Sequence, residues 1–228
     1  DEDNNIEGTS SEDLYFYNVK NVKLAKGSRA IYPVYSKDVK VKHLYESNLN
    51  SGKEKSNRSD YVDCSFDTKR CNVFHSIEIV NSSSDPLTTG PVFIVDKNNK
   101  PLAQDLIKYT SAKQSSFVKL TESPDIWMEE KESIVETQEE AKKLNGYDYD
   151  LVTVKGEITI INSKKQSINM AIRKNVQGEI KEASIKYENI KKIKNNNLNM
   201  DNNMEFRPIM KAGEKMVITY TYSVYIRQ

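Results

Sequence analysis

The chain has 228 residues, of which 37% are hydrophobic, and this length suits one large domain or two small ones. Its 34 Lys and Arg residues nearly balance its 33 Asp and Glu residues, so the net charge is +1 and no overall field attracts nucleic acid or an anionic membrane. No apolar run reaches the ~20 residues that a membrane-spanning helix requires, so we expect no membrane span.

The first 13 residues are acidic and polar and show no hydrophobic period. Such composition is typical of a flexible leader. We expect residues 1–13 to be a stub that remains after a signal peptide or an upstream domain is removed.

Alternating apolar residues predict short β-strands along the first half of the chain. These segments are residues 14–24, 28–35, 39–45, 73–81, 90–96, 101–110 and 115–121. Residues 96–99 are expected to form a hairpin turn, because Asn tolerates positive φ. Residues 48–60 are polar and lack an apolar anchor, which predicts an exposed loop.

The second half shows the same pattern, with strands predicted over residues 150–162, 167–175, 182–193 and 205–209. From Met216 to the end, every second residue is apolar or aromatic up to Ile226. Successive side chains of a strand point to opposite faces, so Tyr220 and Tyr222 are expected to face the core. Residues 195–203 are polar and predict a second loop.

Residues 128–146 leave two alternatives open. Their Glu, Lys, Gln and Ala favour a helix, and the final Lys-Lys-Leu-Asn-Gly is a plausible helix ending. Their few apolar residues form no lasting helical stripe, which favours an extended, charged strand.

Two internal echoes indicate related units. IVNSSSDP at 79–86 is similar to IINSKKQS at 160–167, and LAKGSRAIY is similar to MKAGEKMVI, but the order of the echoes differs between the halves. The predicted fold is all-β, with two antiparallel β-sandwich-like units at 14–122 and 123–228, packed together and containing little helix.

Cys64 and Cys71 flank the segment SFDTKR, which can turn and bring the two thiols together. A disulfide closing so small a loop stabilises by ~2.5 kcal/mol in the chain-entropy model and implies an oxidising compartment. The alternative is two free thiols in a cytosolic protein.

A zinc site is a further alternative for the cysteines. Cys71 and His75 would share one face of a strand, and Cys64 and His43 could complete the ligand set, but the paired Cys-x-x-Cys spacing is missing. No nucleophile motif and no Gly-rich phosphate loop occurs. We therefore predict no catalytic residue, no metal and no cofactor.

Exposed aromatic rings would suit carbohydrate binding. The chain has 13 tyrosines and one tryptophan. Those with a predicted surface position include Trp127, Tyr147 and Tyr149, which are the candidates for stacking on a sugar.

Asn57 and Asn81 begin Asn-x-Ser sequences, the acceptor pattern for N-glycosylation. Both lie in predicted loops, so both are candidate glycosylation sites in a secreted protein.

Several segments taken in order resemble the C-terminal domain of the mucoidy inhibitor A-like family. They are YNVKNVKLAKGSRAIYPVYSKDVKV, IEIVNSSSDPLTTGPVFIVDKNNKPLAQDLIKYTSAKQSSFVKL, GEITIINSKKQSINMAIRKN and IMKAGEKMVITYTYSVYI. The family motifs are a strand ending in Asn before Pro-Leu-x-x-Gly-Pro, here Asn81 and residues 86–91, and a Pro-Gly-Glu-Lys turn before a Tyr-Thr-Tyr strand. Ala212 stands where that turn usually has Pro.

This resemblance implies a secreted or envelope-associated β domain of unknown biochemical role, usually preceded by a coiled coil and another β domain. It supplies no catalytic residues. We expect a non-catalytic structural or protein-binding module that contacts a protein partner through sheet edges or through residues 48–60 and 195–203. The alternatives are a carbohydrate-binding module and a Cys/His metal-dependent enzyme.

Overall fold

The computed structural model describes residues 6, 8–12, 14–34, 36–50, 68–193 and 198–228. These residues form sixteen strands and no helix. The strands are β1 (Gly8–Ser11), β2 (Leu14–Tyr17), β3 (Lys40–Asn50), β4 (Lys69–Arg70), β5 (Phe74–Val80), β6 (Gly90–Val95), β7 (Pro101–Ile107), β8 (Ser115–Glu122), β9 (Ile126–Leu144), β10 (Tyr147–Asn162), β11 (Ile168–Gln177), β12 (Glu179–Ala183), β13 (Tyr187–Ile193), β14 (Asp201–Phe206), β15 (Ile209–Met210) and β16 (Lys215–Arg227). The all-β prediction is confirmed.

The chain divides into two compact units, but at other positions than the sequence predicted. One unit is Asp1–Lys42 with Ile77–Lys119, and the other is His43–Ser76 with Leu120–Gln228. Residues 43–76 join the second unit because β3 pairs in parallel with β11, from Tyr45 opposite Met170 onward, and β4 pairs with β9. The two strands are so far apart in sequence that no local pattern in either one predicts their pairing.

The second unit contains strands of two sheets that share a core. One sheet has the order β12-β16-β10-β9-β4, and the other contributes β13-β14-β11-β3 in that order, with β15 paired to β11. Aliphatic, Met and aromatic side chains from β9, β10, β11, β14 and β16 fill one buried cluster. In β16 the alternation is as predicted, with Ile218, Tyr220, Tyr222 and Val224 all buried.

Residues 128–144 are extended in β9 and residues 145–146 form a turn, so no part of 128–146 is helical. β9 and β10 form a long antiparallel hairpin in which Tyr147 pairs with Leu144. Asn145 and Gly146 between them have φ of 52° and 81°, the conformation that a two-residue hairpin turn demands. Asn-Gly is therefore a hairpin signal here, and the helix-ending interpretation of the same residues is wrong.

Some predicted elements differ in extent. The strand predicted at 14–24 ends at Tyr17, and residues 28–34 are not a strand. The segment 182–193 is divided between β12 and β13, because residues 184–186 lead the chain from one sheet to the other. The turn at 96–99 is confirmed, since the amide of Asn99 donates to the carbonyl of Asp96 at 3.0 Å.

The similar segments at 79–86 and 160–167 each contain a turn that an asparagine side chain anchors, with one such turn in each unit. Asn81 Nδ2 donates to the carbonyls of Asp85 and Thr110 at 2.9 and 3.0 Å. Asn162 Nδ2 donates to the carbonyls of Gln166 and Lys211 at 3.1 and 2.8 Å. In both copies the side chain ties its own loop to the turn that precedes another strand.

We expect Asn162→Ala to lower the free energy of unfolding by about 2 kcal/mol, because two carbonyls lose their donor in a buried site. Asn162 is fully buried. Urea denaturation measures the change, with exposed Asn169→Ala on β11 as the matched control. Equal stability of the two variants would contradict the anchoring role.

Candidate functional site

The aromatic residues predicted to bind sugar do not form one site. Trp127 pairs with Ile161 at one end of β10, whereas Tyr147 begins that strand. At ~3.3 Å per residue these positions are roughly 46 Å apart. The guanidinium carbon of Arg227 lies 3.2 Å from the ring centre of Tyr147 and covers one of its faces. Tyr149 is partly buried and pairs with Lys142.

The two histidines do come together, as the zinc hypothesis required. His43 Nδ1 lies 2.9 Å from His75 Nε2, and Tyr45 stacks on His75 with ring centres 4.6 Å apart. Burial lowers the pKa of His75, and the charges of His43 and Lys164 lower it further. Within the described part of the chain no three His, Cys, Asp or Glu side chains are grouped as metal ligands.

Cys71 is half-buried, and its thiol donates to the carbonyl of Lys69 at 3.3 Å. Burial, with a smaller contribution from the Glu130 carboxylate, raises the pKa of the Cys71 thiol to about 11. Cys64 lies outside the described residues, so the Cys64–Cys71 disulfide stays a prediction.

In reduced protein we expect Cys71 to alkylate about two orders of magnitude more slowly at pH 8 than an ordinary thiol, because the thiolate is the reacting form. The rate should rise with pH until about 11, the pKa of this thiol. Mass spectrometry of the Cys71 peptide after timed iodoacetamide treatment measures the rate, with urea-unfolded protein as the control. A pH midpoint near 8.5, the ordinary cysteine value, would contradict the burial argument.

The structure disfavours Asn81 as a glycan acceptor. Its side chain is fully buried and Nδ2 already donates to backbone carbonyls, so a sugar on that nitrogen is incompatible with this fold. Asn81 does follow a strand, as predicted, but a position after a strand does not by itself show that the side chain is exposed. Asn57 lies outside the described residues.

A buried polar cluster that the sequence analysis missed crosses the interior of the second unit. Lys174 is 0% exposed, and its Nζ lies 2.8 Å from Glu130 Oε1 and 3.1 Å from Glu132 Oε1. The approach is not along a hydrogen-bond direction, so the attraction is chiefly electrostatic. The sequence did contain a sign that Lys174 is buried, because Lys174 continues the alternating buried row of Ile168, Met170 and Ile172 in β11.

Tyr220 completes this Lys174 cluster. Its hydroxyl lies 2.7 Å from Oε1 of both Glu130 and Glu132. Burial raises the pKa of Tyr220 far above its ordinary value, and the two carboxylates raise it further. The phenol therefore stays neutral and donates, which suits a structural role inside the core.

A cleft in the second unit lies beside β12 and β13, which are edge strands of two different sheets. β12 ends the order of one sheet and β13 that of the other, and no described strand pairs with their outer sides. The cleft has a volume of about 530 Å³. Its lining includes Leu151, Glu179, Ile180, Tyr187, Asn189, Leu198, Asn199, Asn202, Ser223 and Tyr225.

Amide side chains link the segments that line the cleft. Asn199 accepts from the amide of Tyr225 and donates to its carbonyl, both at 2.8 Å. Asn202 Nδ2 donates to the carbonyl of Gly178 at 2.6 Å. Gly178 has φ of 127° and no room for a Cβ beside Ser223, so glycine is required where the chain enters β12.

The structure describes only part of the two loops that were predicted to contact a protein partner. Residues 198–200 border this cleft, whereas 201–203 belong to β14. Residues 51–60 of the other loop, and 195–197 of this one, lie outside the described residues.

Comparison with protein-family models, with curated proteins and with solved structures gives no match to this chain. No helix long and apolar enough to cross a membrane occurs among the residues that the structure describes.

Proposed function

We propose that this chain is a non-catalytic, secreted or envelope-associated β-sandwich module that binds an extended segment of a partner protein. The observation that carries this proposal is the cleft bounded by the edge strands β12 and β13. Edge strands present unpaired backbone N–H and C=O groups, which are a ready template for an added strand.

The side chains of the cleft suit such a ligand. Ile180 and Tyr187 are partly buried and pack against the core cluster, and Asn189 and Ser223 stand beside them in the lining. Backbone pairing would supply affinity, and apolar pockets for alternate side chains would supply specificity. The resemblance to the mucoidy inhibitor A-like family supports the envelope location.

The test selects a phage-displayed library of unconstrained peptides of roughly ten residues, the length of a strand, on the immobilised full chain. We expect enriched peptides with alternating apolar residues. Fluorescence polarisation should then show that Glu179→Trp, which fills the cleft, abolishes their binding.

Glu182→Trp is the matched control, since Glu182 is exposed on the same strand and does not line the cleft. Peptides that bind both variants equally would contradict the assignment of the cleft. So would a library that yields no binder.

Carbohydrate binding is the second candidate, and the rings of Tyr187 and Tyr225 beside the amides of Asn189 and Asn199 favour it. Aromatic faces and amides are groups that sugars can contact. Isothermal titration calorimetry with soluble oligosaccharides of glucose, mannose and N-acetylglucosamine tests it. A saturable response that Glu179→Trp removes would replace the peptide proposal.

A further inference from the structure

An exposed apolar face lies on the two-stranded hairpin of β6 and β7, in the first unit. Phe93 is 60% exposed, Val95 42%, and Leu102 and Leu106 are each 53% exposed. Pro91 pairs with Leu106 and Phe93 with Gln104, so these six residues are neighbours. We call them the β6–β7 face.

The alternation along both strands shows that this exposure is confined to one side. Val92, Ile94 and Ala103 are partly buried, while their neighbours in sequence are exposed. A two-stranded hairpin is marginally stable alone. A contiguous apolar patch of this kind on a soluble protein marks an interaction surface.

Charge indicates which partner fits. None of the six residues of the β6–β7 face is ionisable. A charged partner surface would lose hydration there without gaining an ion pair. Two identical copies of the face meet without like-charge repulsion, and a two-fold interface requires a surface that is complementary to itself.

The exposed area of the β6–β7 face indicates how large an interface it can form. Six residues exposed by about half present on the order of 500 Å² on each copy, or about 1,000 Å² in all, which is at the lower limit for a specific interface. We propose that a second copy of this chain binds the β6–β7 face, forming a weak two-fold dimer.

Sedimentation velocity of the full chain between about 1 and 500 µM tests this proposal, a range chosen for an interface of this size. We expect a reversible, concentration-dependent shift from monomer to dimer. Phe93→Lys should weaken dimerisation at least about tenfold, because each copy then buries an unpaired charge in the interface.

Val217→Lys is the matched control, because Val217 is a 43% exposed residue of β16 outside this face, and it should leave dimerisation unchanged. Leu102→Lys repeats the test if Phe93→Lys fails to fold by circular dichroism. A monomer throughout the concentration range overturns the proposal, whether the face is then covered by another protein or by nothing. A dimer that resists both lysine variants overturns it too.

Discussion

Lys174→Met should lower the free energy of unfolding by about 3–5 kcal/mol, the usual cost of removing one partner from a buried ion pair. Lys174 is 0% exposed, and its Nζ is within 3.1 Å of the carboxylates of both Glu130 and Glu132. Methionine fills a similar volume, so the loss measures the two carboxylates left without a cation and not a cavity.

Urea denaturation of Lys174→Met beside Lys155→Met tests this prediction. Lys155 is an exposed residue of β10, and its replacement should change stability by about 0.5 kcal/mol or less. The triple variant Lys174→Met, Glu130→Gln, Glu132→Gln should recover much of the loss, because no uncompensated charge remains. Equal stability of the two lysine variants would show that the Lys174 cluster is not buried.

The period of two along each strand could be predicted from the sequence alone, and in β16 it identified the buried residues Tyr220 and Tyr222. The Asn145-Gly146 turn could have been predicted as well, since both residues accept positive φ. Helix propensity summed over 128–144 competed with that signal. Cross-strand pairing with β10 determined the outcome, because tertiary context overrides a weak local preference.

The partners of a buried charge could not be predicted. Lys174 lies in the apolar row of β11, but its carboxylates come from β9 and its tyrosine neighbour from β16. Their meeting depends on how the sheet that contains β11 packs against the sheet that contains β9 and β16, which no local pattern shows. The cleft could not be predicted for the same reason, because its position depends on which strands, here β12 and β13, lie at the edges of the two sheets.

The second large effect is expected at Gly156, which pairs with Tyr220 of β16 and with Glu132 of β9. A Cβ at this position would fall well inside van der Waals contact with Cζ, Cε1 and Oη of Tyr220. The ring is 1% exposed, so it can move away from a new Cβ only by giving up the contacts of its hydroxyl with Glu130 and Glu132. Gly156→Ala should therefore cost about 3 kcal/mol or more, through overpacking and through loss of the hydrogen bonds of Tyr220.

Gly90→Ala is the matched control for Gly156→Ala, because no atom lies within 4 Å of a Cβ built at Gly90. Urea denaturation should place that control within about 0.5 kcal/mol of the native protein. A double-mutant cycle then separates the two causes. Tyr220→Phe should cost less in Gly156→Ala protein than in native protein, because the displaced ring has already lost its carboxylate partners. Additive losses would mean that Tyr220 keeps its hydroxyl contacts and that the strain is relieved by the backbone of β10 instead.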